Sequence, residues 1–580
     1  MRLPVLARRL LMGSVVFLLI AGTLFFYFSR HHVTGTLTPE DMDTVQAVRY
    51  FGRTRNFGTQ FVRPLLTEPI RANADGTLPD LAHQPLYTII GGLFLRLTKH
   101  TNPNDGHREM VLLSVGTFLA VAWVCSLLSR RLFGGKGGIP ALLFLLLGGN
   151  ALAIMLTPTP AILATLFFTL LLICLFALDR RTSVGEPDRK VSLWWAVGAG
   201  VLFALLYLTV YSALLLLPVL LGYLIYVSRR DWRVPLIFLV VALAVCSPFL
   251  LRTFRLVRNP FYNARLAEVM MFTDTYPGYS LYFQSSFPSS SLAFVLTHGE
   301  EMFKKSGQNL LSLYNHLPSV LGTLVLPLFL GASLTRFNDN RVNRLRGTVY
   351  ALLGVHLLGL SFFIPANECF PLLLMYAPFV SVLSGMFLLS VIEARNPPRF
   401  FGRVAILGWI LLAVMPGLTL LLTPPKTQSQ IRQVYTVLSN TPLVQEIQRD
   451  NNGLLIADAP WEVAYRCDVP ALWFPLDSGV VSAVEQRTGL TIRGICLSSD
   501  TMERYATLKD ASSWVTVYWR VLSVAQVVNN LPATLTQPVL REIRLFYPTQ
   551  LSSVLTNFSP TPYAESNAAS FSLLFLRTTP

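Results

Sequence analysis

Ala161-Ile-Leu-Ala-Thr-Leu-Phe-Phe-Thr-Leu-Leu-Leu-Ile-Cys-Leu-Phe-Ala-Leu178 is an uninterrupted apolar run that stops at Asp179-Arg180-Arg181. A helix needs about 20 such residues to cross the hydrocarbon of a bilayer, with basic side chains snorkelling at its ends. This stretch therefore reads as a membrane span, and outward from it the same pattern recurs. Runs near 11–29, 110–128, 139–156, 161–178, 193–209, 211–227, 235–251, 319–334, 348–364, 371–391 and 404–422 give eleven expected spans. Pro85 to Thr98, at 14 residues, is short for a crossing and reads as a half-inserted or tilted helix. If it crosses, another span must be split, so the expectation is about 11 to 13 transmembrane helices.

The charge pattern agrees with that reading. Of 580 residues 52% are hydrophobic and only 13% charged, against roughly a quarter charged in an average soluble protein. The net charge of +16 comes from short runs between spans: Arg130-Arg131 with Lys136, Arg180-Arg181 with Arg189-Lys190, Arg229-Arg230 with Arg233, Arg341 with Arg344 and Arg346, and Arg395 with Arg399 and Arg403. Threading the chain from a cytoplasmic N-terminus puts every one of them inside, as the positive-inside rule requires. Topology thus accounts for the charge, and no nucleic-acid partner is expected. Arg2, Arg8 and Arg9 precede the apolar Leu11 to Phe28, with no small-residue cleavage site, which reads as an uncleaved signal anchor. The expectation is a multi-pass protein of the cytoplasmic (inner) membrane.

Three pieces then fall outside: a first loop over 30–84, a central loop over 252–318, and a C-terminal part over 424–580. The chain divides at 423/424 into a transmembrane domain and an accessory extracytoplasmic domain. The latter alternates a helical pattern through Gln430 to Gln448, a strand-like Gly453 to Asp458, a helix-like Val480 to Thr488 and a strand-like Thr491 to Leu497, a small α/β domain. Among six cysteines, Cys467 and Cys496 lie in this polar region, where a disulfide and two free thiols are equally open. No expected span has an acid or base near its centre, and His356 is the one ionisable residue deep in a span. Ion-coupled transport usually requires intramembrane carboxylates, so the chemistry belongs to the loops.

Thr38-Pro39-Glu40-Asp41-Met42-Asp43 opens the first loop as a helix start, with Thr38 as N-cap and Pro39 at the first position. Acids in a first turn stabilise the helix dipole, which is one reading of Glu40, Asp41 and Asp43. The other is catalytic, because carboxylates just outside a span can face a substrate whose lipid tail lies in the bilayer. The central loop mixes Arg252, Arg255, Arg258 and Arg265 with Tyr262, Tyr276, Tyr279 and Tyr282, a composition that suits a sugar phosphate at the bilayer surface and equally an aromatic belt.

The stretch from Glu40 to Leu65, with Gln46, Arg49, Phe57-Gly58 and Phe61-Val-Arg63-Pro64-Leu65, resembles the first periplasmic loop of polyprenyl-phosphate-dependent glycosyltransferases of the GT-C fold. These are relatives of protein O-mannosyltransferases and lipid A aminoarabinose transferases. His83-Gln84-Pro85-Leu86-Tyr87 is similar to the motif that closes this loop in the family, and Tyr207 to Ala213, Asn259 to Tyr262, Tyr276 to Tyr282 and Asp458 to Arg466 also look like family segments. Two positions depart from the pattern: Glu40 where Asp is usual, and Val210 where Arg is. The resemblance implies inverting transfer of a sugar from a polyprenyl-phosphate carrier to a glycan, lipid or protein acceptor, with Glu40 or Asp43 as general base. It implies Asp41, Arg49, Arg63, Arg71, His83, Arg258, Tyr262 and Tyr279 as substrate-binding candidates, membrane lipids as neighbours, and a divalent cation, Mg or Mn, as an open question. A transporter or flippase of lipid-linked glycans, or an inactive scaffold of the same fold, are the alternatives.

Overall fold

The computed structural model describes Gly22 and residues 38–67, 70–100, 103–134, 138–147, 151–183, 189–228, 231–278, 280–284, 290–363, 370–395, 399–422, 438–457, 459–473, 478–498, 558–561 and 572–577. The chain is mainly helical. Helix α1 (Pro39–Thr54) begins the first loop; β1 (Gly58–Thr59), β2 (Phe61–Val62) and β3 (Leu78–Pro79) follow, then α2 (Pro85–Thr98). The bundle proper comprises α3 (Pro103–Phe133), α4 (Gly138–Leu147), α5 (Ala151–Met155), α6 (Ala161–Ser183), α7 (Arg189–Tyr207), α8 (Leu217–Val227) and α9 (Arg233–Val257). After the central loop, which carries α10 (Ser291–Thr297), come α11 (Gly299–Leu321), α12 (Val325–Leu334), α13 (Asn340–Ser361), α14 (Ala377–Arg395) and α15 (Arg399–Leu422).

Among the described residues, Gly106–Phe133, Ala161–Asp179, Arg233–Val257 and Phe370–Ala394 are helices long and apolar enough to cross a membrane. Helices α11 and α12 make a fifth if they count as one span, but they meet at 103°. The bend falls at Gly322, whose φ of 101° only glycine adopts readily. The expected span at 319–334 is thus divided, and the 23-residue α11 extends back through the end of the central loop. Within the run at 139–156 the described residues form α4 and α5, and the run at 11–29, Gly22 apart, lies outside the described residues.

The C-terminal part supplies α16 (Pro442–Asp450), β4 (Gly453–Ala457), α17 (Pro460–Cys467), β5 (Ala471–Trp473), α18 (Ser478–Thr488), β6 (Thr491–Ser498), β7 (Phe558–Thr561) and β8 (Ser572–Arg577). Its sheet has the order β2-β5-β4-β6-β8-β7. Strands β2, β5, β4 and β6 run parallel, with α17 as the crossover between β4 and β5, while β8 is antiparallel to both β6 and β7. Every residue of β4 is buried, the continuous apolar pattern of a central parallel strand. The edge strand β2 comes from the first loop, pairing Phe61 with Ala471 and Val62 with Leu472. The sheet therefore crosses the sequence boundary at 423/424.

Two cores result. One fills the helix bundle from Val111 to Ala413. The other is shared by all three loop pieces, joining Met42, Val45 and Phe61 of the first loop, Met271 and Leu281 of the central loop, and Leu455, Trp461 and Ile495 of the C-terminal part. Helix α1 is clamped between α2 and α17. At the α1–α2 crossing a Cβ on Gly92 would stand 2.7 Å from Phe51 Cδ1 and 2.9 Å from the Gly52 nitrogen, so glycine sets the close approach. Cys467 and Cys496 are both buried.

Candidate active site

Helix α1 starts as its sequence predicts. The Thr38 hydroxyl accepts from the Asp41 nitrogen at 3.1 Å, and the Asp41 carboxylate accepts from the Thr38 nitrogen at 3.1 Å, a closed capping box. Burial pushes the Asp41 carboxyl up to about 6 against those two bonds. Glu40 and Asp43, three residues apart, project from one face of the helix.

Asp43 is the centre of a buried ion network. Arg63, immediately after β2, donates from Nη2 to Asp43 Oδ2 at 2.5 Å, while its guanidinium lies 4.3 Å from the Phe61 ring centroid and 5.5 Å from that of Tyr282. His83 places Nε2 3.4 Å from the same carboxylate oxygen, outside hydrogen-bond alignment, and Nδ1 2.9 Å from Asp80 Oδ2. Asp80 Oδ1 accepts from the nitrogens of Ala82 at 2.9 Å and His83 at 3.2 Å, so the turn itself fixes the imidazole. Arg252 of α9 donates to the carbonyls of Asp80 at 3.1 Å and Phe57 at 3.3 Å, tying the loop to the bundle.

A second group lies against the first. Arg265 Nη1 donates to Glu40 Oε1 at 2.6 Å, and its Nε is 4.0 Å from Glu268 Oε1. The Tyr282 hydroxyl donates to Glu268 at 2.8 Å, and its ring stacks on Trp473 at 6.1 Å, so the C-terminal sheet also backs the site. Lys305 of α11 donates to the carbonyls of Glu268 and Val269 at 3.1 and 2.9 Å, holding the short 3₁₀ helix Ala264–Val269 that carries Arg265.

Burial opposes the charge on His83, but Asp80 and Asp43 overcome it and push its pKa up to about 10. Burial likewise opposes ionisation of Asp43, yet Arg63 and His83 hold its carboxyl well below the usual range. Burial raises the Glu268 carboxyl in spite of Arg265 and Tyr282. Asp43 Oδ1, Arg63 Nε and His83 Nε2 are buried and make no hydrogen bond within the chain. Three such atoms in one charged cluster mark a place where a polar ligand would complete the network.

The structure thus brings Glu40, Asp43, Arg63 and His83 together. Arg49 turns the other way from α1, donating to the Tyr465 carbonyl at 2.9 Å and to Asp468 at 3.2 Å. Asp41 closes the helix cap, Arg71 and Arg258 are exposed, and Tyr262 is half-buried in the turn after α9. Tyr279 lies outside the described residues. Val210 is buried just before the turn Tyr211–Leu216. Asp80 and Glu268 join the site without having been singled out in the sequence, although the Asp-x-x-His spacing of Asp80 to His83 is that of a turn acceptor holding an imidazole. Among the described residues no group of three or more His, Cys, Asp or Glu side chains could hold a metal ion. The nearest carboxylates, Asp43 and Glu40, are already faced by Arg63, His83 and Arg265, a donor set that does not fit a divalent cation.

Residues 83–251 match the sequence model of the dolichyl-phosphate-mannose-protein mannosyltransferase family. No curated protein matches the chain by sequence. Among solved structures, the archaeal oligosaccharyltransferase AglB from Archaeoglobus fulgidus, in complex with an inhibitory peptide and a dolichol-phosphate, superposes with a TM-score of 0.57 at 11% identity, covering 87% of this chain and 71% of that one. The apo form of the A. fulgidus oligosaccharyltransferase gives a TM-score of 0.52 at 12% identity, covering 85% and 71%. ArnT from Cupriavidus metallidurans bound to undecaprenyl phosphate gives 0.49 at 14% identity, covering 85% and 94%. The chain is therefore similar to the dolichyl-phosphate-mannose-protein mannosyltransferases over residues 83–251 and has, over most of its length, the GT-C fold of polyprenyl-phosphate-dependent glycosyltransferases.

Proposed function

We propose that this protein transfers a sugar from a polyprenyl-phosphate carrier to an acceptor on the extracytoplasmic face of the membrane, with inversion, at the cluster of Asp43, Arg63, His83, Glu40 and Arg265. The observation that carries the reading is the buried triad of Asp43 with Arg63 and His83, in which unpartnered Arg63 Nε and His83 Nε2 suit a phosphate and unpartnered Asp43 Oδ1 suits the acceptor's proton. Arg63 offers the fork that matches phosphate oxygens, and charged His83 adds a second donor. The dolichol-phosphate in the AglB complex belongs to a neighbour of the same fold and supports a lipid-phosphate donor here.

The chemistry follows from what phosphate binding does to Asp43. Once Arg63 and His83 turn to the phosphate, the carboxylate loses the charges that hold its pKa down, while its burial remains. It then becomes a base strong enough to take the acceptor's proton. The acceptor atom bonds to the anomeric carbon, the bond from that carbon to the phosphate oxygen breaks, and the leaving phosphate carries its new charge against Arg63, His83 and Arg265. Glu40 holds Arg265 in place. No metal enters this scheme. The reading includes an inner-membrane location, 11 to 13 crossings with a cytoplasmic N-terminus, and a C-terminal α/β domain that shapes the acceptor side.

The test is transfer by purified protein in lipid, from a panel of labelled polyprenyl-phosphate sugars to membrane extract, comparing wild type with Asp43→Asn and Glu40→Gln. Transfer by wild type with a loss of about 10²–10⁴ in Asp43→Asn supports the reading. Movement of lipid-linked sugar across the bilayer without transfer would replace it with the flippase alternative.

A further inference from the structure

Asp80 touches no phosphate in the scheme above, yet it is 3% exposed and spends both carboxylate oxygens on one residue pair. Oδ1 takes the backbone nitrogens of Ala82 and His83, and Oδ2 takes the His83 ring at Nδ1. The geometry leaves His83 Nε2 as the free end of the imidazole, pointing to Asp43 without a hydrogen bond. An imidazole so held can donate from Nε2 in one protonation state only. With Nδ1 protonated by its bond to Asp80, Nε2 carries a proton only when the ring is charged. The groups that decide this are Asp80 on the same turn, Asp43 on α1 with its partner Arg63, and Arg252 of α9, which binds the Asp80 carbonyl.

We propose that Asp80 is a positioning residue that keeps His83 charged, so that Nε2 donates to the phosphate of the lipid-linked donor over the whole physiological pH range. The inference rests on the transfer reading for its ligand, but the charge of His83 can be tested without it. When the phosphate draws Arg63 away, Asp43 is left to accept a proton and ceases to be a dependable counter-ion. Asp80 has no such conflict, because its second oxygen is locked by two backbone donors. The division of labour is therefore between a carboxylate that exchanges its proton and one that does not.

The experiment is the Asp80→Asn variant, which retains the shape but removes the charge; its one carbonyl oxygen stays on the backbone nitrogens of Ala82 and His83, and His83 Nδ1 loses its anionic acceptor. Histidine-labelled protein in nanodiscs, with the His83 signal assigned by its loss in His83→Gln, reports the imidazole titration directly by NMR. The His83 midpoint is expected to fall by about one to three pH units, the effect of removing one close opposite charge. Sugar transfer in Asp80→Asn should then decline as pH rises through the new midpoint and recover on acidification, with the change in KM for the donor. In Asp80→Asn with His83→Lys, which supplies a cation independent of Asp80, the pH step should vanish. An unmoved His83 titration overturns the inference, as does a loss of transfer that is equal at every pH. If the midpoint shifts but wild type transfers no sugar, the transfer reading fails and the charge control by Asp80 stands.

Discussion

Replacing Asp43 with Asn tests the centre of the site. Its side chain is 3% exposed and faces Arg63 at 2.5 Å and His83 at 3.4 Å. Asn keeps the volume but leaves two buried cations without their shared counter-ion, and breaking a buried pair from one side costs roughly 3–5 kcal/mol. At about 1.4 kcal/mol per factor of ten, local protection of the α1 amides should fall by roughly two to four powers of ten. Adding Arg63→Met removes one stranded cation and should restore much of that protection without restoring transfer. Glu40→Gln is the contrast, because Glu40 is 35% exposed and its pair with Arg265 is partly solvated, so about 1 kcal/mol or less is at stake. The assay is hydrogen exchange by mass spectrometry on protein in nanodiscs, read peptide by peptide across 39–54, beside initial transfer rates at equal protein concentration. Unchanged protection in Asp43→Asn, or a double variant less protected than the single one, would refute the reasoning.

Other consequences are as direct. The His83 pKa is raised above its unfolded value, so its contribution to stability is complete below about pH 6.5 and is lost as pH rises through about 10; the gap in thermal midpoint between wild type and His83→Gln should shrink over that window. Arg49→Met removes the buried donors to Tyr465 and Asp468, and because Asp468 keeps Arg53 the loss should be about 2–3 kcal/mol, read as faster proteolysis between α1 and the C-terminal sheet. Gly92→Ala drives a methyl into Phe51 and the Gly52 backbone and should cost about 1–3 kcal/mol, seen as a lower thermal midpoint with the donor KM preserved in the folded fraction. Chelation with EDTA should leave transfer unchanged, since Asp43 and Glu40 are neutralised by guanidinium and imidazolium; loss of activity restored by Mg or Mn would contradict that assignment.

What the sequence discloses and what it hides divide along physical lines. The start of α1 is local: Thr38, Pro39 and Asp41 interact within one turn, so the cap is legible from their order alone. The apolar runs at 161–178 and 235–251 are equally plain, because hydrocarbon thickness sets their length. The division at Gly322 is hidden, since the run through 319–334 stays apolar across it and only φ reveals the turn. The partners of the site are hidden for another reason. Arg265 meets Glu40 across 225 positions, and Arg252 meets Asp80 across 172, distances at which no periodicity speaks. Arg49 shows the opposite case: its place among family-like residues marks it, while its actual contacts lie 416 positions away, at Tyr465.

The pairing of β2 with β5 has a consequence for anyone who cuts the chain. A soluble fragment beginning at 424 would lack Phe61 and Val62, leaving the outer side of β5 with bare amides and carbonyls beside Trp461 and Trp473. Such an exposed, aromatic rim is a template for pairing with another chain, and the fragment should self-associate through it. Supplying residues 57–65 as a separate peptide should cap that rim, and would turn a covalent neighbour into a measurable ligand.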